Sequence, residues 1–515
     1  MVSTVAVLFC LALVMAQRPR QSGQARPEVY LRAGQNLQSA LDAARAGDTI
    51  VLEAGATFNG PIVLPYKSGT NDFITIRTSD LKGISTEGER IKPSLHARAM
   101  PKIVATPNKS ALTTKPGAHH YKFIGVEFVT TNSGYVHNVV DLGAADYKTL
   151  SEFPNHLIFD RCYIHATGLN RARRGFALNS SETSILNSHV SGFAGAGDET
   201  QAVAGWNGPG PFRIVNNYLE GGGEVVMFGG GDPSIPGLVP SDIEIRRNHF
   251  RKPKEWLGRA AIKGTFELKN AKRVVIDGNW IESEILTTAI VLTVRNQNGK
   301  APWSTLEDIE FTNNVVRHAD SGVNFLGRDS DHPSQTAKRV RISNNLFIKI
   351  VLNDARNIPY FLQTNGGEDV TVEHNTVEQA GNVITAYGAP IPNFTFRGNI
   401  VQFNRYGIVC MVDGVECNRQ NLFCNCFPGG VFRGNVFADN LGTANNERLD
   451  EKYPTGNYFV PSLQRVGFVD YAHGDWSLGA NSKTRNKTIN GKAPGADVDA
   501  IRAAGAFSAR TGDSF

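Results

Sequence analysis

The chain has 515 residues, of which 41% are hydrophobic, with 52 glycines and a formal net charge of +5. That composition excludes a disordered or low-complexity chain, and so small a charge gives no reason to expect nucleic acid, which calls for a concentrated basic face. Single cores seldom grow past roughly 250–300 residues, so the length asks for several domains or for a repeat whose units bury their faces against one another.

Residues 1–16 read as a signal peptide. The apolar run Val5 to Val14 leads into Val14-Met15-Ala16, a small-residue cleavage pattern that would free Gln17, although the basic segment that usually precedes such a run is missing. The run is too short to cross a bilayer, and no other stretch reaches about 18 consecutive apolar residues. A secreted protein, extracellular or periplasmic and without a membrane span, is the expectation. Residues 17–30 are polar and read as a flexible segment. Leu37, Ala40, Leu41 and Ala44 then fall at helical spacing, with Asn36 as N-cap and Gly47 as stop, so 36–46 is predicted to be a short capping helix. Asp48 to Leu52 begins the first strand.

From there a repeat takes over. A short strand followed by Asn and an apolar residue two places later recurs eight times, at Asn217, Asn248, Asn279, Asn314, Asn345, Asn375, Asn399 and Asn435. The first five steps, by subtraction, are 31, 31, 35, 31 and 30 residues. Two degenerate copies come earlier, with Cys162 and Ser188 in the Asn slot. Periods of about 20–50 residues mark solenoids or propellers, and the absence of helical periodicity points to strands. An Asn at one corner of every coil can turn inward and bond the backbone and the next Asn. A second strand set, including Phe176 to Asn179, Val225 to Phe228 and Ile290 to Thr293, lies between the corners. The predicted fold is therefore all-β, a single-stranded right-handed parallel β-helix (solenoid) over residues 31–475 with a short N-terminal capping helix, and residues 476–515 form a C-terminal tail or cap.

Cys10 falls in the signal segment, and Cys410, Cys417, Cys424 and Cys426 crowd together. Two local disulfides are expected there rather than a zinc site, because the spacing fits no zinc motif. Cys162 reads as a buried core residue.

The opening Gly34 to Gly60, with Leu37-Gln38-Ser39-Ala40-Leu41 and Ala46-Gly47-Asp48-Thr49-Ile50-Val51-Leu52, resembles the N-terminus of pectate-lyase-like right-handed parallel β-helix proteins. Segments such as Gly205-Trp206-Asn207-Gly208-Pro209-Gly210-Pro211-Phe212 and Ala301-Pro302-Trp303-Ser304 are similar to exported right-handed β-helix repeat proteins of soil bacteria. The resemblance covers nearly the whole chain beyond the signal segment. It implies the fold more firmly than an activity, since lyases, glycoside hydrolases, epimerases, esterases and adhesins share it.

Residues just past the inter-corner strands should line one lateral face: Asn179, Trp206-Asn207, Asp232, Lys269-Asn270, Arg295-Asn296, Arg328-Asp329 and Thr364-Asn365. A polar, cationic strip of that length suits a linear acidic polysaccharide, with Arg and Lys neutralising carboxylates and Trp206 stacking on a sugar. The expected function is thus an exported carbohydrate-active protein, a polysaccharide lyase-type enzyme acting on a uronate-containing glycan by β-elimination. Lys263 or Lys269 is the candidate base, and Arg295 or Arg328 the carboxylate clamp. Asn179, Trp206, Asn207, Asn296 and Asp329 are substrate-binding candidates, and Glu224 with Asp232 a candidate calcium site. Two alternatives stand beside it. One is a non-catalytic glycan-binding or structural β-helix; the other is a hydrolase using carboxylates among Glu220, Glu224 and Asp232. The histidines His119, His120, His137, His156 and His165 show no ligand spacing and read as turn and surface residues, and Gly229-Gly230-Gly231 reads as a turn. A monomer is expected.

Overall fold

The computed structural model describes residues 28–510 apart from 70, 286, 352–357, 405, 413–414, 417–424 and 439–452. The signal-peptide reading and any partner of Cys417 or Cys424 lie outside the described residues. Among those described, no helix is long and apolar enough to cross a membrane.

One coil shows how the rest are made. Strand Phe212–Val215 is followed by a two-residue corner, strand Tyr218–Gly221, a two-residue turn and strand Glu224–Phe228, and a loop then leads to Ser241–Arg246 in the next coil. Each strand pairs in parallel with its counterpart one coil on, as Phe212 with Ile243, Tyr218 with His249 and Val226 with Phe266. Repetition gives a first and a second sheet of 14 strands each and a third of 13, parallel throughout except for the hairpin strand Val415–Glu416. This is the right-handed parallel β-helix that the sequence resembles. Alternate side chains point inward, and residues in the same place stack from coil to coil: Ile214, Ile245, Ile276 and Phe311 are buried one above another. Each such side chain contributes roughly 1.5–3 kcal/mol.

The corner between the first and second sheets has a strict local geometry. The residue before the Asn has a left-handed backbone, with φ of 57° at Asn216, 55° at Arg247, 64° at Gly278 and 56° at Asn313. Asn and Gly tolerate that region, which is why so many copies read Asn-Asn or Gly-Asn. The next residue, Asn217 and its equivalents, is fully buried. Its Nδ2 donates to the Oδ1 of the Asn one coil on, at 3.0 Å from Asn217 to Asn248 and 2.9 Å from Asn279 to Asn314. It also donates to a carbonyl of the preceding coil, as Asn248 does to Ile214 at 2.8 Å. The column runs on to Asn457, a copy the repeat search passed over. Earlier, Ser188 Oγ accepts from the Cys162 amide at 2.9 Å, so a hydroxyl fills the same place.

The N-terminal helix spans Leu37–Ala43, and the Asn36 side chain accepts from the Ser39 amide as an N-cap. At the other end, the described part of the tail runs back along the stack. After hairpin Phe468–Asp470 and Asp475–Leu478, the chain doubles back along the corners towards the N-terminus. Gly495 bonds Gly398, the Asp497 amide bonds Asn344 Oδ1 at 2.6 Å, and helices Val498–Ala504 and Ala506–Ala509 follow. This strap ends where Arg90 Nη1 donates to the Ala509 carbonyl at 2.7 Å. Beneath it, Trp280, Val315, Leu346, Ile400 and Val436, each the residue after a corner Asn, pack with Val498, Ile501 and Ala506.

In earlier coils the same position carries polar aromatics. His189 stacks on Tyr218 at 4.4 Å, and Tyr218 meets His249 edge-on at 5.1 Å. Burial, with the Arg90 charge as the next cause, pulls His189 down to about 3. Because the unfolded chain then binds the proton first, stability is complete above about pH 6.5 and is lost as pH falls from there towards 3. The expected loss is at most about 1.4 kcal/mol per pH unit. Thermal melts from pH 7 to pH 4 should show it, and His189→Phe should flatten the dependence.

Cys410 and Cys426 form one of the expected disulfides, and Cys162 is a buried free thiol in the core.

Candidate functional site

The outer face of the third sheet carries a line of polar side chains that the coils bring into register. Asn138 lies opposite Arg174, Arg174 opposite Gln201, and Gln201 opposite Glu224, with Met227 opposite Glu267 beyond them. Adjacent strands stand about 4.8 Å apart, so these side chains can touch. Hydrogen bonds join them end to end. Asn138 Nδ2 donates to Asp141 at 3.0 Å, and Arg174 donates through Nη1 to Asn138 Oδ1 at 3.4 Å and through Nε to Gln201 Oε1 at 2.9 Å. Gln201 Nε2 donates to Glu224 Oε2 at 2.7 Å, and Glu224 bonds Glu267. Lys269 Nζ closes the line 3.6 Å from Glu267 Oε2.

The chemistry turns on the two carboxyls. Glu224 is fully buried, and its Oε1 finds no donor among the fixed N–H and O–H groups. Two ionised carboxylates cannot hydrogen-bond one another, and like charges so close cannot both persist. A proton on Glu267 resolves both problems. Burial pushes the Glu267 carboxyl well up from the usual carboxylate range; Lys269 opposes the shift and Glu224 reinforces it. At the far end of the line, burial pushes Asp141 up to about 6. Burial likewise pulls Arg174 to about 10, with the Arg173 charge as the next cause, and its guanidinium lies 4.8 Å from the centre of the Trp206 ring. On the rim, Lys263 pairs with Glu199, Arg173 Nε donates to the Glu199 carbonyl at 3.2 Å, and the Tyr135 hydroxyl donates to Asp198.

Of the base and clamp candidates, Lys263 and Lys269 border this line from opposite ends of strand Phe266–Leu268. Arg295 follows Lys269 one coil on, its amide donating to the Lys269 carbonyl at 2.9 Å, and exposed Arg328 follows Arg295. Arg295 is already engaged by Asp329 Oδ1 at 3.1 Å and Ser330 at 2.9 Å.

The other strip residues have a different job. Asn179, Asn207 and Asn296 are buried and staple loops: their Oδ1 atoms accept from the amides of Asn207, Ser234 and Ala301. Asp329 accepts from the amides of Asn296 and Asp331. These four therefore shape the turns and are corrected from ligand contacts to loop supports. Trp206 has one face under Arg174, and a Cβ at Gly231 would lie 2.8 Å from its ring, so little of the ring is left for a sugar. The calcium pair is corrected as well. Glu224 opens strand Glu224–Phe228, whereas Asp232 lies beyond its end and accepts from the amides of Asn298 at 2.9 Å and Lys300 at 3.1 Å. Among the described residues no group of three or more acidic, His or Cys side chains is placed to hold a metal ion.

Sequence reasoning passed over Asn138, Arg174, Gln201 and Glu267. Their signal was available. Each is a polar residue on the outward side of a third-sheet strand, where the repeat places it beside the next.

No protein-family model matches the chain, and no curated protein does. Among solved structures, an alginate lyase of family PL6 (AlyGC) superposes with a TM-score of 0.46 at 13% identity, over 92% of this chain and 57% of that one. The chain thus spans little more than half the length of that protein. A family GH87 α-1,3-glucanase from Streptomyces thermodiastaticus strain HF3-3 gives 0.49 at 13% identity, over 84% of this chain and 72% of that one. A mannuronic acid specific family 6 lyase from human gut microbiota gives 0.46 at 12% identity, over 84% and 91%. Which groups react has to be argued from this chain's own residues.

Proposed function

We propose that the protein is an exported, monomeric polysaccharide lyase-type enzyme that cleaves an acidic, uronate-containing glycan by β-elimination on the outer face of the third sheet. The observation that carries this reading is the buried outer-face line that ends in Glu224, Glu267 and Lys269, with Lys269 Nζ 3.6 Å from Glu267 Oε2. β-Elimination needs the substrate carboxylate neutralised, an acceptor for the C5 proton and a donor for the leaving oxygen. Lys263, Arg173 and Arg295 offer the positive charge, Lys269 is the acceptor once its own proton has passed to Glu267, and protonated Glu267 is the donor. Acceptor and donor lie side by side, which suits removal of proton and leaving group from one face of the sugar. The third sheet also suits a linear polymer, since its face extends along the whole stack of coils.

The test is incubation of the purified protein with pectate, alginate, glycosaminoglycans and bacterial acidic glycans, with calcium or with chelator. Ultraviolet absorbance of the unsaturated uronate should rise on at least one of them. No absorbance and no new reducing ends on any glycan would leave a binding role.

A further inference from the structure

Behind the carboxyl pair stands a charged side chain that this chemistry does not use. Lys252 ends second-sheet strand His249–Lys252 and is fully buried. Its Nζ donates to the carbonyl oxygens of Gly221 at 3.0 Å, Gly222 at 2.5 Å and Gly223 at 2.5 Å. All three ammonium donors are therefore used, on three consecutive carbonyls that converge as they would around a bound cation.

Those glycines form the turn from the second sheet into the third, and the residue after them is Glu224. Side chains are excluded from the turn. A Cβ on Gly221 would lie 2.4 Å from the Glu224 carbonyl oxygen, and one on Gly223 would lie 2.9 Å from the Thr200 amide. A three-glycine turn has no side chains of its own to hold its shape. The ammonium supplies that hold from the neighbouring coil. Burying a positive charge is costly unless a negative one faces it, and the groups that raise its proton affinity are Glu224 and Glu267. Lys269 and Lys263 face Glu267 as well.

We propose that Lys252 is a tethered cation, a positioning residue that fixes the Gly221–Gly223 turn and sets its charge against the Glu224–Glu267 pair beside that turn. The inference rests on the proposed role of that pair as proton donor. Burial pulls the Lys252 ammonium down to about 7 even with Glu224 and Glu267 acting against it.

The test replaces the tether with a free cation. In Lys252→Ala, infrared spectra at neutral pH should show a second protonated carboxyl beside the one that Glu267→Gln abolishes in the parent protein. Propylammonium, which matches the deleted side chain, should reverse this, and propanol should not. Turnover on the glycan found above should fall about 100-fold, as expected when a reacting group is misplaced, with KM changed less than about threefold, and propylammonium should restore it. The infrared comparison needs no turnover, so it decides the inference even if no glycan is cleaved. An unchanged carboxyl band in Lys252→Ala would overturn the proposal. If Lys252→Ala is too unstable to purify, Lys252→Met with Glu224→Gln removes both charges and should be recovered folded where Lys252→Met alone is not. A double variant no better than the single would overturn the pairing.

Discussion

Glu267→Gln is expected to lower turnover of the acidic glycan about 10³-fold, within the range assigned to a positioned acid or base. The replacement keeps the size of the side chain and its bond to Glu224, but an amide cannot give a proton to a leaving oxygen. Glu267 works only while protonated, so parent activity should decline as pH rises through its elevated titration. The residual activity of Glu267→Gln should lack that decline. Lys269→Ala should cost a similar factor by removing the proton acceptor 3.6 Å away. The double variant should then be little worse than either single one, because groups that act as a unit are not additive. Steady-state rates across pH on the cleaved glycan are the measurement. A Glu267→Gln enzyme within about threefold of the parent would remove Glu267 from the reaction.

Asn279→Leu is expected to cost about 4 kcal/mol of stability, although leucine fills the space and is apolar. The Asn279 Oδ1 accepts from both the amide and the Nδ2 of Asn248, and its own Nδ2 donates to Ile245 at 2.9 Å and Asn314 at 2.9 Å. Leucine takes away the bonds of the Asn248 amide and the Ile245 carbonyl, each worth about 1–3 kcal/mol, while Asn248 Nδ2 keeps Ile214 and Asn314 Oδ1 keeps the amide at 279. Asn279→Ser should cost roughly half as much, because a serine already serves at position 188, where its Oγ bonds an amide one coil away and the Leu186 carbonyl at 2.7 Å. Chemical denaturation of the three proteins would order them; equal midpoints for the leucine and serine variants would show that the column is dispensable.

The corner asparagines were legible because one geometry recurs, and a left-handed residue followed by an inward amide leaves few sequence choices. The capping helix was legible for the same kind of reason, since the Asn36 cap and the spacing of Leu37 and Leu41 are local. The site was legible only in part. Lys263 and Lys269 stand out as charges near a strand, but Glu267 matters because Glu224, on the neighbouring coil and 43 residues earlier by subtraction, acts on it. Such partners appear only when coils are laid on one another in register. The strip residues misled for a related reason. Asn179, Asn207 and Asn296 look like exposed turn amides, yet long loops between the third and first sheets fold over them and use them as staples. The docking surface of the tail is written in the residue after each corner Asn. Trp280, Val315, Leu346 and Ile400 are apolar there, whereas Tyr218 and His249 are not.

A stack held only by neighbour-to-neighbour contacts opens from its ends, one unit at a time. The returning tail changes that. Its last anchor joins Arg90 to Ala509, 419 residues apart in sequence, and on the way it touches the coils of Asn399, Asn344 and Asn279. It lies along the stack as a splint lies along a jointed rod, so a middle joint cannot bend open without lifting an element rooted elsewhere. Melting is thereby turned from a zipper into a single concerted step for the coils it crosses, which include those carrying Lys252 and Glu267.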